Sequence, residues 1–372
     1  MIKRKRILQF PLAASKGGIT QYVLNLWKNI NKEIIQFDFV TFSKDLDFEY
    51  KLLEEGCRVY HLSCYPEEDE KQFVKEFNEI LQNGYDVIEL HTSYWKNTIM
   101  EVLAKKQGIT HIIVHAHSTG IPANLTYEQE KFARERHYKI RGEITENLAD
   151  RFLACSQEAA EWLYGPQISL KRIEIIKDTI ETDKFKYDEK VRIRNRKKLG
   201  IENKYVIGHV GRLEKEKNHK YILKIFQKVH EILPHAMLLL VGDGSYKKII
   251  KDQCKQMQLS KYVIFVGKTE AVSDYLQAMD IFLFPSLFEG FGISLLEAQC
   301  SGLPCIGSTN VPETVFATKY AKRISLEQPD DWVGTIIEIE KGYERKSQNI
   351  VLKENGYDTF TQIKLLEKMY TE

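Results

Sequence analysis

Four residues in the second half of this 372-residue chain have the types and spacing of an anion-handling site. Arg212 and Lys217 lie in Gly211-Arg-Leu-Glu-Lys-Glu-Lys217, between an apolar run and a helical pattern. A guanidinium donates a planar pair of hydrogen bonds and an ammonium adds a mobile point charge, so the two suit a diphosphate without a metal ion. Glu214, Lys215 and Glu216 in the same loop read as solvated. Further on, Glu289-Gly-Phe-Gly-Ile-Ser-Leu-Leu-Glu297 follows a strand and enters a helix. If that helix begins near Gly292, Glu297 lies about 7–8 Å along its axis at ~1.5 Å per residue, while Glu289 stays in the loop. One carboxylate can then reach a sugar and the other a ribose. Gly290 and Gly292 admit a close backbone approach, and the amides of Phe291, Gly292, Ile293 and Ser294 offer phosphate the positive end of a helix. A plain surface role fits Glu297 poorly, because its run is otherwise small and apolar and an ionised group there needs a partner.

The elements that must position these residues alternate, strand then helix, as in βαβ units with parallel sheets. In the first half the strand candidates are 7–10, 37–42, 58–62, 87–91, 111–115, 151–155 and 173–176, with helices at 20–30 and 73–82. In the second they are 205–210, 236–241, 263–266, 281–284 and 304–307, with helices near 220–232, 246–257, 272–279 and 294–301. Between the halves, the densely charged stretch 181–204 reads as a solvated linker helix ending at Leu199-Gly200. Two doubly wound domains follow, over 1–184 and 185–355. A closing segment, 356–372, has apolar Phe360, Ile363, Leu366 and Met369 at helical spacing. Ligands of such sheets bind at the carboxyl ends of the strands, so the two domains are expected to face a central cleft.

Composition narrows the function classes. Lys and Arg number 54 against 52 Asp and Glu, a formal net charge of +2, so nucleic acid is not indicated as a partner. The first 184 residues carry −3 and the remainder +5, which gives an anionic membrane surface no help from the first domain. The opening MIKRKRILQFPLAAS imitates a signal peptide, yet its apolar run is short and broken by Pro11. It reads better as a first strand entering Ser15-Lys16-Gly17-Gly18. No stretch reaches the ~20 apolar residues a membrane helix needs. Six scattered cysteines lack metal-site or redox spacing and suit buried thiols in a reducing cytoplasm.

Taken together, these motifs resemble glycosyltransferase family 4, retaining enzymes of the GT-B fold, and especially its bacterial capsule and exopolysaccharide members. The likeness extends to Val241-Gly-Asp-Gly244, Val266-Gly-Lys-Thr269, Val272-Ser-Asp-Tyr-Leu-Gln-Ala-Met-Asp-Ile-Phe-Leu-Phe-Pro-Ser286 and Asn355-Gly-Tyr-Asp358. It implies an α/β GT-B architecture of two Rossmann-like domains, with the closing helix crossing back onto the first. It also implies that Arg212 and Lys217 hold the donor diphosphate, Glu289 meets the transferred sugar, Glu297 grips the ribose, and Thr269 and Val272 border the nucleobase. Gly17 and Gly18 correspond to a glycine turn that closes over the donor phosphates. His117 corresponds to the family's active-site histidine and is preferred to His115, whose alternate strand position should point away.

On family grounds alone the donor is a UDP-sugar. The acceptor is a saccharide, with a lipid-linked unit at the cytoplasmic face of the inner membrane implied by the likeness. Transfer with retention, assisted by the departing phosphate, needs no metal and no further cofactor. One motif departs: Lys177-Asp-Thr-Ile-Glu181 stands where relatives carry Asn-Gly, and Thr179 adopts positive φ less readily than glycine. The competing readings are a non-catalytic nucleotide-sugar-binding subunit, another GT-B enzyme such as an epimerase or phosphorylase, and, least favoured, a nicotinamide dehydrogenase. The last lacks the third glycine of the dinucleotide turn.

Overall fold

The computed structural model describes residues 4–14, 17–121 and 125–372. Ser15 and Lys16, read as part of the first glycine loop, lie outside the described residues. The chain divides into two compact units. The first contains a parallel seven-stranded sheet of β1 (Lys5–Leu12), β2 (Ile35–Thr41), β3 (Val59–His61), β4 (Val87–Thr92), β5 (His111–Ala116), β6 (Arg151–Ala154) and β7 (Ile173–Ile175). Their order across the sheet is β3-β2-β1-β4-β5-β6-β7. The second contains β8 (Tyr205–Val210), β9 (Ala236–Val241), β10 (Val263–Gly267), β11 (Ile281–Phe284), β12 (Cys305–Ser308) and β13 (Ala321–Ile324), ordered β10-β9-β8-β11-β12-β13.

Both sheets are doubly wound. Strand order runs outward from β1 in one direction and from β4 in the other, and likewise from β8 and β11. At such a reversal the neighbouring connections leave toward opposite faces and open a crevice at the carboxyl ends. Helices cover both faces, which is why β9 can be the unbroken apolar run Ala-Met-Leu-Leu-Leu-Val. Among the described residues, β13 is the one strand the sequence reading missed: Ala-Lys-Arg-Ile is a short edge strand with two exposed basic residues and no apolar run. The helix Tyr127–Glu143 was also invisible, because among its described residues only His137 is fully buried and no apolar stripe forms.

The first unit ends at Asp178 and regains the chain at Thr359, whereas the sequence suggested 184 and 356. The turn Thr182–Phe185 belongs to the second unit because the Thr182 hydroxyl donates to Asp358 at 2.6 Å and its carbonyl accepts from Cys300 Sγ at 3.2 Å. Nor is the basic stretch a solvated linker. The helix Glu189–Leu199 is capped by Asp188, which accepts from the Lys190 and Val191 amides, and is closed by Gly200 at φ +66°. Arg196 is buried, donating to the Ala278 carbonyl at 2.8 Å and to Asp280 at 3.1 Å. Thr179 has an ordinary negative φ, so the turn needs no glycine.

The last helix, Thr359–Thr371, packs on the first unit through Ile363, Leu366, Met369 and Tyr370, in one cluster with Trp27 and Leu24. Phe360, expected in that stripe, is instead 71% exposed. None of the six cysteines is in a disulfide, and all but Cys64 are buried.

Candidate active site

In the second unit the candidate residues gather where the topology predicts, after β8 and β11. The loop after β8 delivers Lys217, whose Nζ is ion-paired with Glu289 in the loop after β11. Each of these two side chains is only 13% exposed. Lys217 also sits 5.2 Å above the Phe284 ring, so an ammonium that would otherwise be solvated is held in place. Arg212 is less constrained: its side chain is 55% exposed and its guanidinium donates to Glu216 at 2.8 Å. Two of the supposed loop acids are structural. Glu216 is buried against Arg212 while its carbonyl accepts from the Leu287 amide at 2.8 Å. Glu214 accepts from the Ser245 amide and hydroxyl at 2.8 and 2.6 Å. These contacts tie the two loops and the Gly242–Gly244 turn into one shelf.

Glycine is demanded at two points of that shelf. A Cβ on Gly242, at φ +136°, would stand 1.9 Å from the Gly211 carbonyl oxygen, so β9 can end against the β8 loop only without a side chain. Gly292, at φ +109°, caps the helix Ile293–Cys300 from a left-handed conformation. The Leu295 and Leu296 amides bond back to the Gly292 carbonyl, while those of Ile293 and Ser294 have no intrahelical acceptor. Glu297 follows one turn on. It is partly buried, has no hydrogen-bond partner among the described residues, and desolvation pushes its carboxyl up to about 8, with Lys184 opposing. Thr269 and Val272 lie apart from this group, after β10 on the same carboxyl edge. Thr269 Oγ1 accepts from the Ala271 amide at 3.1 Å, and Val272 opens the next helix.

The first unit holds the other candidates. Gly17 precedes the helix Gly18–Asn29 at φ −65° and ψ 179°, an extended backbone open to any residue. A Cβ on Gly18 would meet nothing within 4 Å, so folding alone does not require glycine at that position. His117 follows β5, and its Nε2 lies 2.9 Å from His91 Nδ1. His115 does not point away. Residues two apart on a strand share a face, and the His115 and His117 rings stand 4.1 Å apart. His115 is fully buried, its Nδ1 3.0 Å from Glu89 Oε1.

Profiles of known families match nearly the whole chain: "Glycosyltransferase Family 4" over residues 16–184 and "Glycosyl transferases group 1" over residues 191–358. The chain belongs to glycosyltransferase family 4. It is 28% identical to EpsF of Bacillus subtilis, covering 99% of this chain and 96% of that protein. A UDP-Gal:α-D-GlcNAc-diphosphoundecaprenol α-1,3-galactosyltransferase of Escherichia coli is 24% identical over 82% of this chain and 80% of its own length. Among solved structures, HepE of Anabaena, crystallised with UDP and glucose, superposes with a TM-score of 0.78 at 16% identity, covering 100% of both chains. The fold is therefore GT-B, and the chain is a group 1 glycosyltransferase.

Sequence reasoning missed what stands behind His117 in this transferase. Gln9, Glu89, His91 and His115 are fully or almost fully buried, and the sheet register sets Gln9 opposite Glu89 and His91 opposite His115. Glu89 receives Gln9 Nε2 at 3.0 Å, His115 Nδ1, and the hydroxyl of Tyr370 from the last helix. Burial drives the His115 pKa down to about 3 and those of His91 and His117 well below the usual imidazole value, so all three rings are neutral. The signal was present as Glu-x-His on β4 and His-x-His after it: polar residues at period two inside strands that are otherwise apolar. One nitrogen from each histidine lies within 4.8 Å of the others, a spacing a cation could bridge. Both His91 nitrogens, however, already have hydrogen-bonding partners, Gln9 Oε1 at 2.6 Å and His117.

Proposed function

We propose that the protein is a retaining, metal-independent hexosyltransferase that moves a sugar from a UDP-sugar to a saccharide acceptor during assembly of a bacterial capsule or exopolysaccharide. The observation that carries this reading is the Lys217–Glu289 ion pair directly ahead of the helix that begins at Ile293, with Glu297, which has no hydrogen-bond partner among the described residues, one turn along it. A diphosphate seated on Lys217 and the Ile293 and Ser294 amides would leave Glu289 for sugar hydroxyls and Glu297 for a ribose. Arg212 reaches the same anion by exchanging Glu216 for phosphate, a motion its exposure allows. Thr269 and Val272 border the base.

In the reaction, the bond from the sugar C1 to the β-phosphate oxygen breaks through an oxocarbenium-like state while the acceptor oxygen bonds C1 from the same face. The acceptor proton passes to the departing phosphate. Lys217, Arg212 and the helix amides stabilise the charge that accumulates there, and stabilisation of this kind is worth about 10²–10³-fold per donor. No side chain needs to become a covalent nucleophile, and fixed cations take the place of a divalent ion. The E. coli relative acts on a diphosphoundecaprenol-linked sugar, which supports a lipid-linked acceptor and a position at the cytoplasmic face of the inner membrane. No helix among the described residues is long and apolar enough to cross a bilayer, so contact with that membrane would be peripheral.

The test is a panel of UDP-hexoses with lipid-linked and free saccharide acceptors, with product anomers assigned by NMR and parallel reactions run in excess chelator. Transfer with retained configuration, unaffected by chelation, is expected. An inverted product, or activity abolished by chelation, overturns the mechanism. Donor binding without any transfer would favour the non-catalytic subunit.

A further inference from the structure

The buried polar chain behind His117 has a direction. Glu89 is met by three donors, so Gln9 must turn its amide NH2 toward it, at 3.0 Å. The Gln9 carbonyl oxygen then faces His91 Nε2 at 2.6 Å, and since that oxygen can only accept, His91 Nε2 carries the proton. A neutral imidazole has one N–H, so His91 Nδ1 is bare and accepts from His117 Nε2 at 2.9 Å. The His117 proton is thereby fixed on Nε2. Its Nδ1 keeps the lone pair and has no partner among the described residues, and the residue as a whole is partly exposed.

We propose that Glu89, Gln9 and His91 are positioning residues that lock His117 in the Nε2–H tautomer, so that its Nδ1 receives a hydrogen bond from a substrate hydroxyl. This rests on the transferase reading for its substrate, but the wiring itself does not. Tyr370 extends the chain to the last helix, since its hydroxyl donates to the same carboxylate. Tyr22 shields the far side, its ring 5.0–5.9 Å from all three imidazoles. His115, held by Glu89 through Nδ1, contributes no link to His117 beyond packing.

The chain can be reversed by one isosteric change. In Glu89→Gln, provided His115 keeps its proton on Nδ1, the new amide oxygen stays on His115 and its NH2 turns to Gln9, which flips to present its oxygen to residue 89. Its NH2 then faces His91, so His91 Nε2 accepts, His91 Nδ1 donates, and the His117 proton moves to Nδ1. Adding Gln9→Glu to that variant restores an acceptor-only group opposite His91 and hence the original sense.

Long-range proton–nitrogen spectra of histidine-labelled protein read the tautomers directly, with His117→Asn assigning the signal. Wild type should show His117 protonated on Nε2, Glu89→Gln should show it on Nδ1, and the double variant should return it to Nε2. In transfer assays kcat should fall at least about tenfold in Glu89→Gln with little change in donor KM, and recover in the double variant. His117 protonated on Nδ1 in wild type, or on Nε2 in a folded Glu89→Gln protein whose His115 keeps its proton on Nδ1, overturns the proposal. If Glu89→Gln does not fold, the wild-type spectrum decides. The spectra need no turnover, so a protein that transfers no sugar but has the expected tautomers refutes the transferase reading alone.

Discussion

If Glu297 binds the ribose as a carboxylate whose two oxygens accept from both hydroxyls, raising the pH from about 6 to about 8 should tighten binding of a UDP-hexose roughly 50-fold, because a protonated carboxyl offers one acceptor fewer and a donor in its place. In the free protein its carboxyl is pushed up to about 8 by desolvation. The ionised fraction is then about 1 in 100 near pH 6 and about 1 in 2 near pH 8. Two hydroxyl donors stabilise the carboxylate, so binding releases a proton and affinity rises with pH until the free-state value is passed. The diphosphate of a UDP-sugar has no ionisation in this interval, which leaves the slope to the protein. Calorimetry in buffers of differing ionisation enthalpy measures both the affinity and the proton released. Glu297→Gln mimics the protonated form and should bind weakly with the pH slope removed. Affinity that is flat or falls as pH rises, or a slope that survives Glu297→Gln, refutes the assignment of Glu297 to the ribose.

Four further outcomes follow from the same geometry. Glu101 is buried with Oε2 unpartnered and its carboxyl pushed up to about 7, so the folded state holds its proton more tightly than the unfolded chain. The cost of burial accrues as pH rises from about 4.5 to about 7 and is constant above, so Glu101→Met should stabilise the protein by up to roughly 3 kcal/mol near pH 8 and by nothing from this source near pH 4 in thermal melts. Gly18→Ala meets no neighbour and should leave the melting temperature unchanged while weakening donor binding if Gly18 approaches phosphate; Gly242→Ala, colliding with the Gly211 carbonyl, should cost about 2–4 kcal/mol. Lys217→Met should lower kcat by at least about 100-fold in steady-state assays with the fold intact by circular dichroism, and a loss under tenfold would remove Lys217 from the leaving-group role.

The placement of the second unit's candidate residues was legible in the sequence because it is built from local signals. Gly292 precedes the helix it caps, Glu297 follows at helical spacing, and Arg212 and Lys217 share one loop. Glu214 and Glu216 were misread for the opposite reason: the Ser245 cap and the burial under Arg212 join residues that a linear reading does not compare. The same holds for Arg196, which sequence composition marks as a solvated cation and which the Ala278 and Lys204 carbonyls and the Asp280 carboxylate enclose.

From the chain's order of residues alone came the two doubly wound halves, the strand-end loops that hold the candidate residues, and the family, since apolar period and turn residues act over a few positions. Only tertiary structure could set Gln9, Glu89, His91, His117 and Tyr370 in one hydrogen-bonded series. Two strands, the residue just past a third and the final helix supply those side chains across a separation of 361 residues between Gln9 and Tyr370. Which nitrogen of an imidazole is bare depends on the direction of donors and acceptors in space, a property that no spacing along the chain encodes.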